Sequence, residues 1–130
     1  MLIDTSGFLC RHFDTELYHE KAAALYESAK TRITTNYVLA EYVALALIRG
    51  LPRKFVLSFS EEILSDETIE IVWVDEAFHT KAVELIKARP DKTYSLCDVV
   101  SFIVMRDRST TEALTTDKHF KQEGFTRLLD

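Results

Sequence analysis

The chain has 130 residues, of which 47% are hydrophobic and 28% charged, and its formal net charge is −5. These values are typical of a soluble globular protein with its own core, so we expect one domain over residues 1–130. No apolar run approaches the roughly 20 residues needed to cross a bilayer, and no basic region precedes the apolar N-terminal stretch. We therefore expect a cytoplasmic protein without membrane contact. Cys10 and Cys97 then favour two free, buried thiols, with a disulfide as the alternative.

The first half of the chain alternates short apolar runs with longer amphipathic stretches. The pattern predicts a strand over residues 1–4, a short helix over 8–13, a helix over 16–30, a strand over 32–35, a helix over 36–49 and a helix over 53–64. Asn36 is the expected cap of the third helix, which Gly50 ends.

The second half continues the alternation. It predicts a strand over residues 70–74, a helix over 76–89, a helix from 96 to about 108, a strand over 113–116, a single turn over 118–122 and a strand over 126–129. Asp75 and Ser95 are the expected caps of the two helices, and Pro90 ends the first of them. Short apolar strands alternating with helices indicate a parallel sheet covered on both faces, an α/β fold.

Four acidic residues are surrounded by apolar sequence: Asp4, Glu41, Asp98 and Asp117. An isolated carboxylate in apolar surroundings is costly unless it is paired or bound to a cation. Two of them end predicted strands and two lie near the starts of predicted helices. Since sites in open parallel sheets form outside the carboxyl ends of the strands, we expect the four acids to form one site for a hard divalent metal.

Three of these acids also have purely structural interpretations. Asp4 suits the N-cap of the helix that follows it. Asp98 stands at the third helical position after Ser95, the pattern of a capping box. Asp117 suits a turn after a strand. These alternatives stay open for each acid taken alone.

Glu41 is harder to explain structurally. Eleven of the twelve residues from 37 to 48 are apolar, and a helix that is apolar nearly all round is expected to be buried. A buried glutamate must be neutral, paired or metal-bound. Arg49 is the available basic partner, but it lies two turns away.

Several carboxylates in one place require a cation. Two of them about 4 Å apart repel by roughly 4 kcal/mol at an effective dielectric constant of 20. Oxygen ligands alone favour Mg²⁺ or Mn²⁺. Ser6 and Thr115 are nearby hydroxyls that we expect to bind a water or a metal-bound ligand, unless they serve only as turn and cap residues.

The remaining charge is close to balanced. Without the four acids the net charge is −5 + 4 = −1, so any grip on nucleic acid must be local. Four cationic side chains are candidates for phosphate contacts: Arg11, His12, Lys118 and His119. Ordinary solvated surface charge is the alternative for each of them.

The four acids lie in segments that together resemble the PIN-domain family, and in particular its small toxin ribonucleases. Residues 2–6 (LIDTS) resemble the first family motif, residues 35–42 (TNYVLAEY) the second, residues 95–98 (SLCD) the third and residues 114–120 (LTTDKHF) the last. Each motif alone is weak. The set occurs in family order and spans nearly the whole chain.

The resemblance implies a three-layer α/β/α fold whose parallel sheet has the order 3-2-1-4-5. It implies that Asp4, Glu41, Asp98 and Asp117 are the metal-binding and catalytic residues of a Mg²⁺- or Mn²⁺-dependent endoribonuclease. The substrate would be RNA, cleaved by water to leave a 5′-phosphate and a 3′-hydroxyl. Family toxins pair with an antitoxin protein and often form homodimers. The first, second and fourth helices carry five aromatic residues, of which most are expected in the core and the surplus suggests a groove for an antitoxin helix or strand: Phe8, Phe13, Tyr18, Phe55 and Phe59.

Two other functions compete with this one. A phosphotransfer or receiver-type enzyme would use an aspartate at the end of the first strand, but the chain lacks a second Asp two residues after Asp4 and a Gly-rich phosphate loop. The other alternative is a PIN-like RNA- or protein-binding module without catalytic activity, against which the intact set of four acids argues.

Overall fold

A computed structural model of the chain describes all residues from 1 to 130. Its centre is a sheet of five strands in the order β3-β2-β1-β4-β5, in which every neighbouring pair is parallel. The strands are β1 (Leu2–Ile3), β2 (Arg32–Thr35), β3 (Ile69–Val72), β4 (Glu112–Leu114) and β5 (Thr126–Arg127). The predicted α/β class and strand order are confirmed.

Seven helices cover the two faces of the sheet: α1 (Thr5–His12), α2 (His19–Ser28), α3 (Asn36–Ile48), α4 (Arg53–Ser65), α5 (Glu76–Lys87), α6 (Leu96–Asp107) and α7 (Lys118–Gln122). The first four helices supply one buried cluster of apolar side chains, and the last three supply the other. The predicted three layers are therefore present.

The central strands are buried on both faces. In β1, Ile3 packs into the cluster under α1–α4 and Leu2 into the cluster under α5–α7. Leu114 and Ala113 divide in the same way in β4. Because side chains alternate along a strand, two or three consecutive apolar residues are enough to join both cores.

Glycine is required where α1 crosses the sheet. A Cβ atom on Gly7 would lie 2.1 Å from the backbone oxygen of Leu114, a separation that no side chain can relieve because the obstacle is backbone. The missing side chain therefore lets the start of α1 approach the end of β4 closely.

Two helix starts and one helix cap differ from the sequence prediction. Helix α1 begins at Thr5, three residues earlier than predicted. Helix α2 begins at His19, three residues later than predicted. The cap of α3 is Thr35, whose side chain accepts a hydrogen bond from the Val38 amide, so the assignment of Asn36 as the cap is wrong. The Asn36 side chain instead accepts a hydrogen bond from the Val74 amide at 2.8 Å, because the end of β3 lies beside the first turn of α3.

The expectation that α3 is buried all round is also wrong. Its buried face carries Val38, Leu39, Tyr42 and Ala46, whereas Glu41 is accessible to solvent and Ile48 is 83% exposed. A helix lying on a sheet buries only the stripe that faces the sheet. The local apolar composition therefore does not by itself explain Glu41.

The cysteines agree with the expectation from the sequence. Cys10 and Cys97 are both free and buried, as predicted. None of the helices is long and apolar enough to serve as a membrane span.

Candidate metal centre

The four predicted acids meet at the edge of the sheet where the strands have their carboxyl ends. They form two groups in each of which the ligand atoms lie within 4.8 Å of one another. The first group joins Asp4 and Glu41 with the sulfur of Cys97. The second joins Asp98 and Asp117 with a ring nitrogen of His119.

Asp4 is placed by the end of β1 and is almost completely buried, with 4% of its surface exposed. It occupies the N-cap position of α1, but its side chain makes no cap hydrogen bond. Instead the Thr115 hydroxyl donates to Asp4 Oδ2 at 2.8 Å. Helix capping alone therefore does not account for a carboxylate at this position.

A short chain of hydroxyl groups orients Asp4. The Thr115 hydroxyl has one proton, which it gives to Asp4, so in its 3.1 Å contact with Ser6 the Ser6 hydroxyl is the donor. Thr115 Oγ1 also accepts from the Asp117 amide at 3.0 Å, and Ser6 Oγ accepts from the Thr116 amide at 2.9 Å. Ser6 and Thr115 thus connect the end of β1 to the segment that carries Asp117.

Asp98 combines a structural contact with a place in the cluster. It completes the predicted capping box, in which Ser95 Oγ accepts from the Asp98 amide and Asp98 Oδ2 accepts from the Ser95 amide, each at 3.0 Å. The same Oδ2 lies 3.2 Å from His119 Nδ1. The capping interpretation is therefore confirmed, and the same carboxylate also lies in the acidic cluster.

Asp117 is the N-cap of α7, and His119 lies in the first turn of the same helix. Asp117 Oδ1 accepts from the His119 amide at 2.9 Å and lies 3.1 Å from His119 Nδ1. The other ring nitrogen, Nε2, is 3.0 Å from the Thr93 hydroxyl. The imidazole therefore lies between Asp98 and Asp117, a position that the sequence did not predict.

The electrostatics of the centre are unfavourable without a cation. Burial, together with the negative charges of Asp98 and Glu41, raises the pKa of Asp4 to about 7 despite the hydrogen bond from Thr115. Burial likewise raises the pKa of Asp98, and the charge of Asp117 adds to the effect. No lysine or arginine forms an ion pair with any of the four acids: His119 is the only basic partner. Carboxylate oxygens gathered in this way fit a hard divalent metal.

Cys97 is the member of the site that sequence reasoning assigned to packing. Its sulfur lies against Asp4 and Glu41, and burial, reinforced by those two carboxylates, raises the pKa of the thiol. It remains protonated at neutral pH for that reason. The sequence does contain a sign of this contact. Cys97 directly precedes Asp98, so both residues lie in the first turn of α6, at the end of the sheet where the acids meet.

Arg11 and His12 do not reach the acidic cluster, because they lie at the far end of α1. Arg11 pairs with Glu27 at 2.7 Å. His12 is stacked on Phe59, with ring centroids 4.3 Å apart, and its Nδ1 lies 2.9 Å from the Tyr42 hydroxyl. Burial lowers the pKa of His12 to about 4, so it is neutral at physiological pH. Both side chains are engaged in contacts within the fold.

Comparisons with known proteins identify the family of the chain. A family model described as the PIN domain matches residues 1–125. Among solved structures, the crystal structure of Mycobacterium tuberculosis VapC20, described as a sarcin–ricin loop cleaving toxin, is similar with a TM-score of 0.88 and 25% sequence identity, covering 99% of this chain and 98% of that chain. A search of curated proteins gave no significant match.

Proposed function

Because this chain belongs to the PIN-domain family, we propose that it is a metal-dependent endoribonuclease that hydrolyses RNA phosphodiester bonds. One observation carries the proposal: four carboxylates converge at the carboxyl edge of the sheet with no lysine or arginine to neutralise them. A structural ion-pair network would contain such a cation. An acidic cluster in which burial and neighbouring negative charges raise the pKa of Asp4 and Asp98 is suited to bind a cation.

Within this proposal Asp4 and Asp98 hold the metal directly, since they are the most buried of the four acids. Glu41 and Asp117 hold its waters or a second ion. Mg²⁺ and Mn²⁺ are the expected ions because the acids offer oxygen ligands. A bound divalent metal would activate water as a nucleophile and neutralise charge on the phosphate.

The remaining residues of the centre have positioning roles. Thr115 fixes the orientation of Asp4 and, through its contact with the Asp117 amide, the spacing between those two acids. Ser6 fixes Thr115 in turn. His119 places a basic imidazole ring between Asp98 and Asp117.

Contacts to RNA phosphates are proposed for Lys118, which is exposed directly after Asp117, and for His119. Arg11 and His12 could reach the backbone of a substrate only beyond the cluster, at the opposite end of α1. The proposal therefore depends on Lys118 for phosphate binding and does not need the other pair.

The similar structure is that of a toxin, and we extend the proposal to a toxin whose partner is an antitoxin protein. The predicted aromatic groove has a counterpart: a cavity of about 440 Å³ between the end of α1 and the start of α4, lined in part by Phe13, Phe55 and Phe59. Phe8 does not take part, because it is fully buried in the core. A homodimer and a cytoplasmic location stay predictions.

The test of the proposed activity is cleavage of defined RNA by purified protein. Single-stranded and stem–loop RNA are incubated with Mg²⁺, Mn²⁺ or EDTA, and the ends of the products are mapped. We expect cleavage only with metal, a 5′-phosphate and a 3′-hydroxyl at the new ends, and no cleavage by Asp98→Asn.

The matched control is Glu70→Gln, which removes one carboxylate from the opposite edge of the sheet. It should cleave as the wild type does. A 2′,3′-cyclic phosphate product would contradict hydrolysis by water. A protein that binds Mn²⁺ but cleaves no RNA, including structured RNA, would favour the alternative of a binding module without catalytic activity.

A further inference from the structure

Trp73 is the only tryptophan of the chain, and 64% of its surface is exposed. It directly follows β3, so it lies at the same edge of the sheet as the four acids. A large aromatic side chain is usually buried for the area it removes from water. Its exposure next to a candidate nuclease centre suggests that it contacts the substrate.

The strand register fixes where Trp73 lies relative to the acids. Leu2 pairs with Ile33 and Thr35 pairs with Val72, so Asp4, Thr35 and Val72 stand at one level across three neighbouring strands. At the usual spacing of strands, the Cα atoms of Asp4 and Trp73 are on the order of 10 Å apart. A nucleotide or two of an extended RNA strand spans such a separation.

The alternation of side chains along β3 determines the face of the sheet from which Trp73 projects. Ile71 packs against the core under α1–α4, whereas Val72 and Val74 pack against the core under α5–α7. Trp73 therefore projects to the same side as Ile71, which is the side covered by α3. The solvent-accessible Glu41 belongs to that helix.

The backbone on both sides of Trp73 is held in place. The Val74 amide donates to Asn36 Oδ1 at 2.8 Å, and Asp75 caps α5 by accepting from the Phe78 amide at 2.8 Å. An exposed ring on a fixed backbone loses little conformational entropy when a flat group stacks on it. The neighbouring acids Asp75 and Glu76 would repel a phosphate, so the ring face is suited to a base.

We propose that Trp73 is a stacking platform for an unpaired nucleobase of the RNA, one or two nucleotides from the phosphate held at the acidic cluster. The inference rests on the proposed ribonuclease function and adds a specificity-determining residue to it. Stacking is tolerant of base identity but requires an unpaired base. Trp73 would thus direct cleavage to single-stranded or looped RNA.

The single tryptophan makes the contact directly observable. In the non-cleaving Asp98→Asn protein with Mg²⁺ in large excess, single-stranded oligoadenylate should quench the fluorescence of Trp73. The same strand paired with oligouridylate should quench it far less, because its bases are already stacked. Equal fluorescence with and without the single strand would overturn the proposal.

The kinetics of Trp73 variants provide a second test of the proposal. In the metal-loaded protein, Trp73→Ala should raise KM for single-stranded RNA by roughly 5- to 100-fold with little change in kcat, and Trp73→Phe should restore most of the loss. The control is Leu64→Ala, which removes a side chain of similar exposure (53%) at the end of α4, away from the acids. Unchanged kinetics of Trp73→Ala in an active enzyme would refute the platform alone, whereas a wild type that cleaves no RNA would refute the ribonuclease itself.

Discussion

Acidic residues are paired with arginine at one edge of the sheet and lack such a partner at the other. At the edge where the strands begin, Glu70 forms a bidentate ion pair with Arg108, with a closest contact of 2.7 Å, and Glu27 pairs with Arg11. At the edge where the strands end, the four acids have no lysine or arginine partner, and His119 beside Asp98 and Asp117 is their only basic neighbour. Arginine lowers the pKa of Glu70, whereas burial raises the pKa of Asp4.

The comparison separates acids that stabilise the fold from acids that serve a function. A paired surface carboxylate contributes at most about 1 kcal/mol. A buried carboxylate without a cation costs stability. The carboxyl edge is therefore maintained at a cost that only a bound ligand can offset, and substitutions at the two edges should have effects of different size and sign.

The largest effect is expected for Asp4→Asn. Because Asp4 is a proposed metal ligand, its replacement should reduce RNA cleavage by roughly 1,000-fold or more. The same change should stabilise the metal-free protein by roughly 1–3 kcal/mol at pH 8, because it removes a desolvated charge. Cleavage assays and urea denaturation in EDTA measure the two quantities. Loss of activity together with loss of stability would instead indicate a damaged fold.

The next effect concerns Thr115, which touches the cluster without being an acid. Thr115→Val keeps the shape but removes the hydroxyl that donates to Asp4, and we expect a 10- to 100-fold loss of cleavage. Since that hydrogen bond lowers the pKa of Asp4, the pH–rate profile should also shift to higher pH. Thr115→Ser should retain the wild-type profile, and a profile of Thr115→Val that matches the wild type would exclude a positioning role.

A third prediction concerns pH. The pKa of Asp4 is about 7 in the fold, against an ordinary value of 3.8, so the folded state binds a proton that the unfolded state releases. The metal-free protein should therefore become more stable, relative to Asp4→Asn, as the pH falls from 8 to 5. Metal affinity should fall over the same range, because protons compete for the same oxygens. Thermal denaturation in EDTA and Mn²⁺ titration test the two trends, and pH-independence of both would contradict the assigned burial of Asp4.

The smallest effect belongs to the opposite edge. Glu70→Gln removes an exposed ion pair and should cost less than about 1 kcal/mol of folding free energy. The loss should shrink as the pH falls below the ordinary pKa of a glutamate and disappear below the lowered pKa of Glu70, where protonation breaks the pair. RNA cleavage should be unchanged. A cleavage defect in this variant would contradict the claim that only the acids at the carboxyl edge serve the activity.

Much of this arrangement could be predicted from the sequence because its signals are local. Short apolar strands, the Ser95–Asp98 capping box and the order of the four acids all follow from neighbouring residues. The burial of α3 was predicted wrongly, since apolar composition does not say which face of a helix meets the sheet. The position of His119 between two acids and the contact of Cys97 with Asp4 depend on how α6 and α7 pack, which no single segment encodes.

The central claim is that the convergent carboxylates bind a divalent cation, and Mn²⁺ binding tests it most directly. Free Mn²⁺ gives a strong electron paramagnetic resonance signal that broadens on binding, so titration at pH 8 yields stoichiometry and affinity without any RNA. We expect the wild type and Glu70→Gln to bind Mn²⁺ alike, and Asp4→Asn and Asp98→Asn to lose most of that affinity. Equal binding by all four proteins would show that the acidic cluster is not a metal centre.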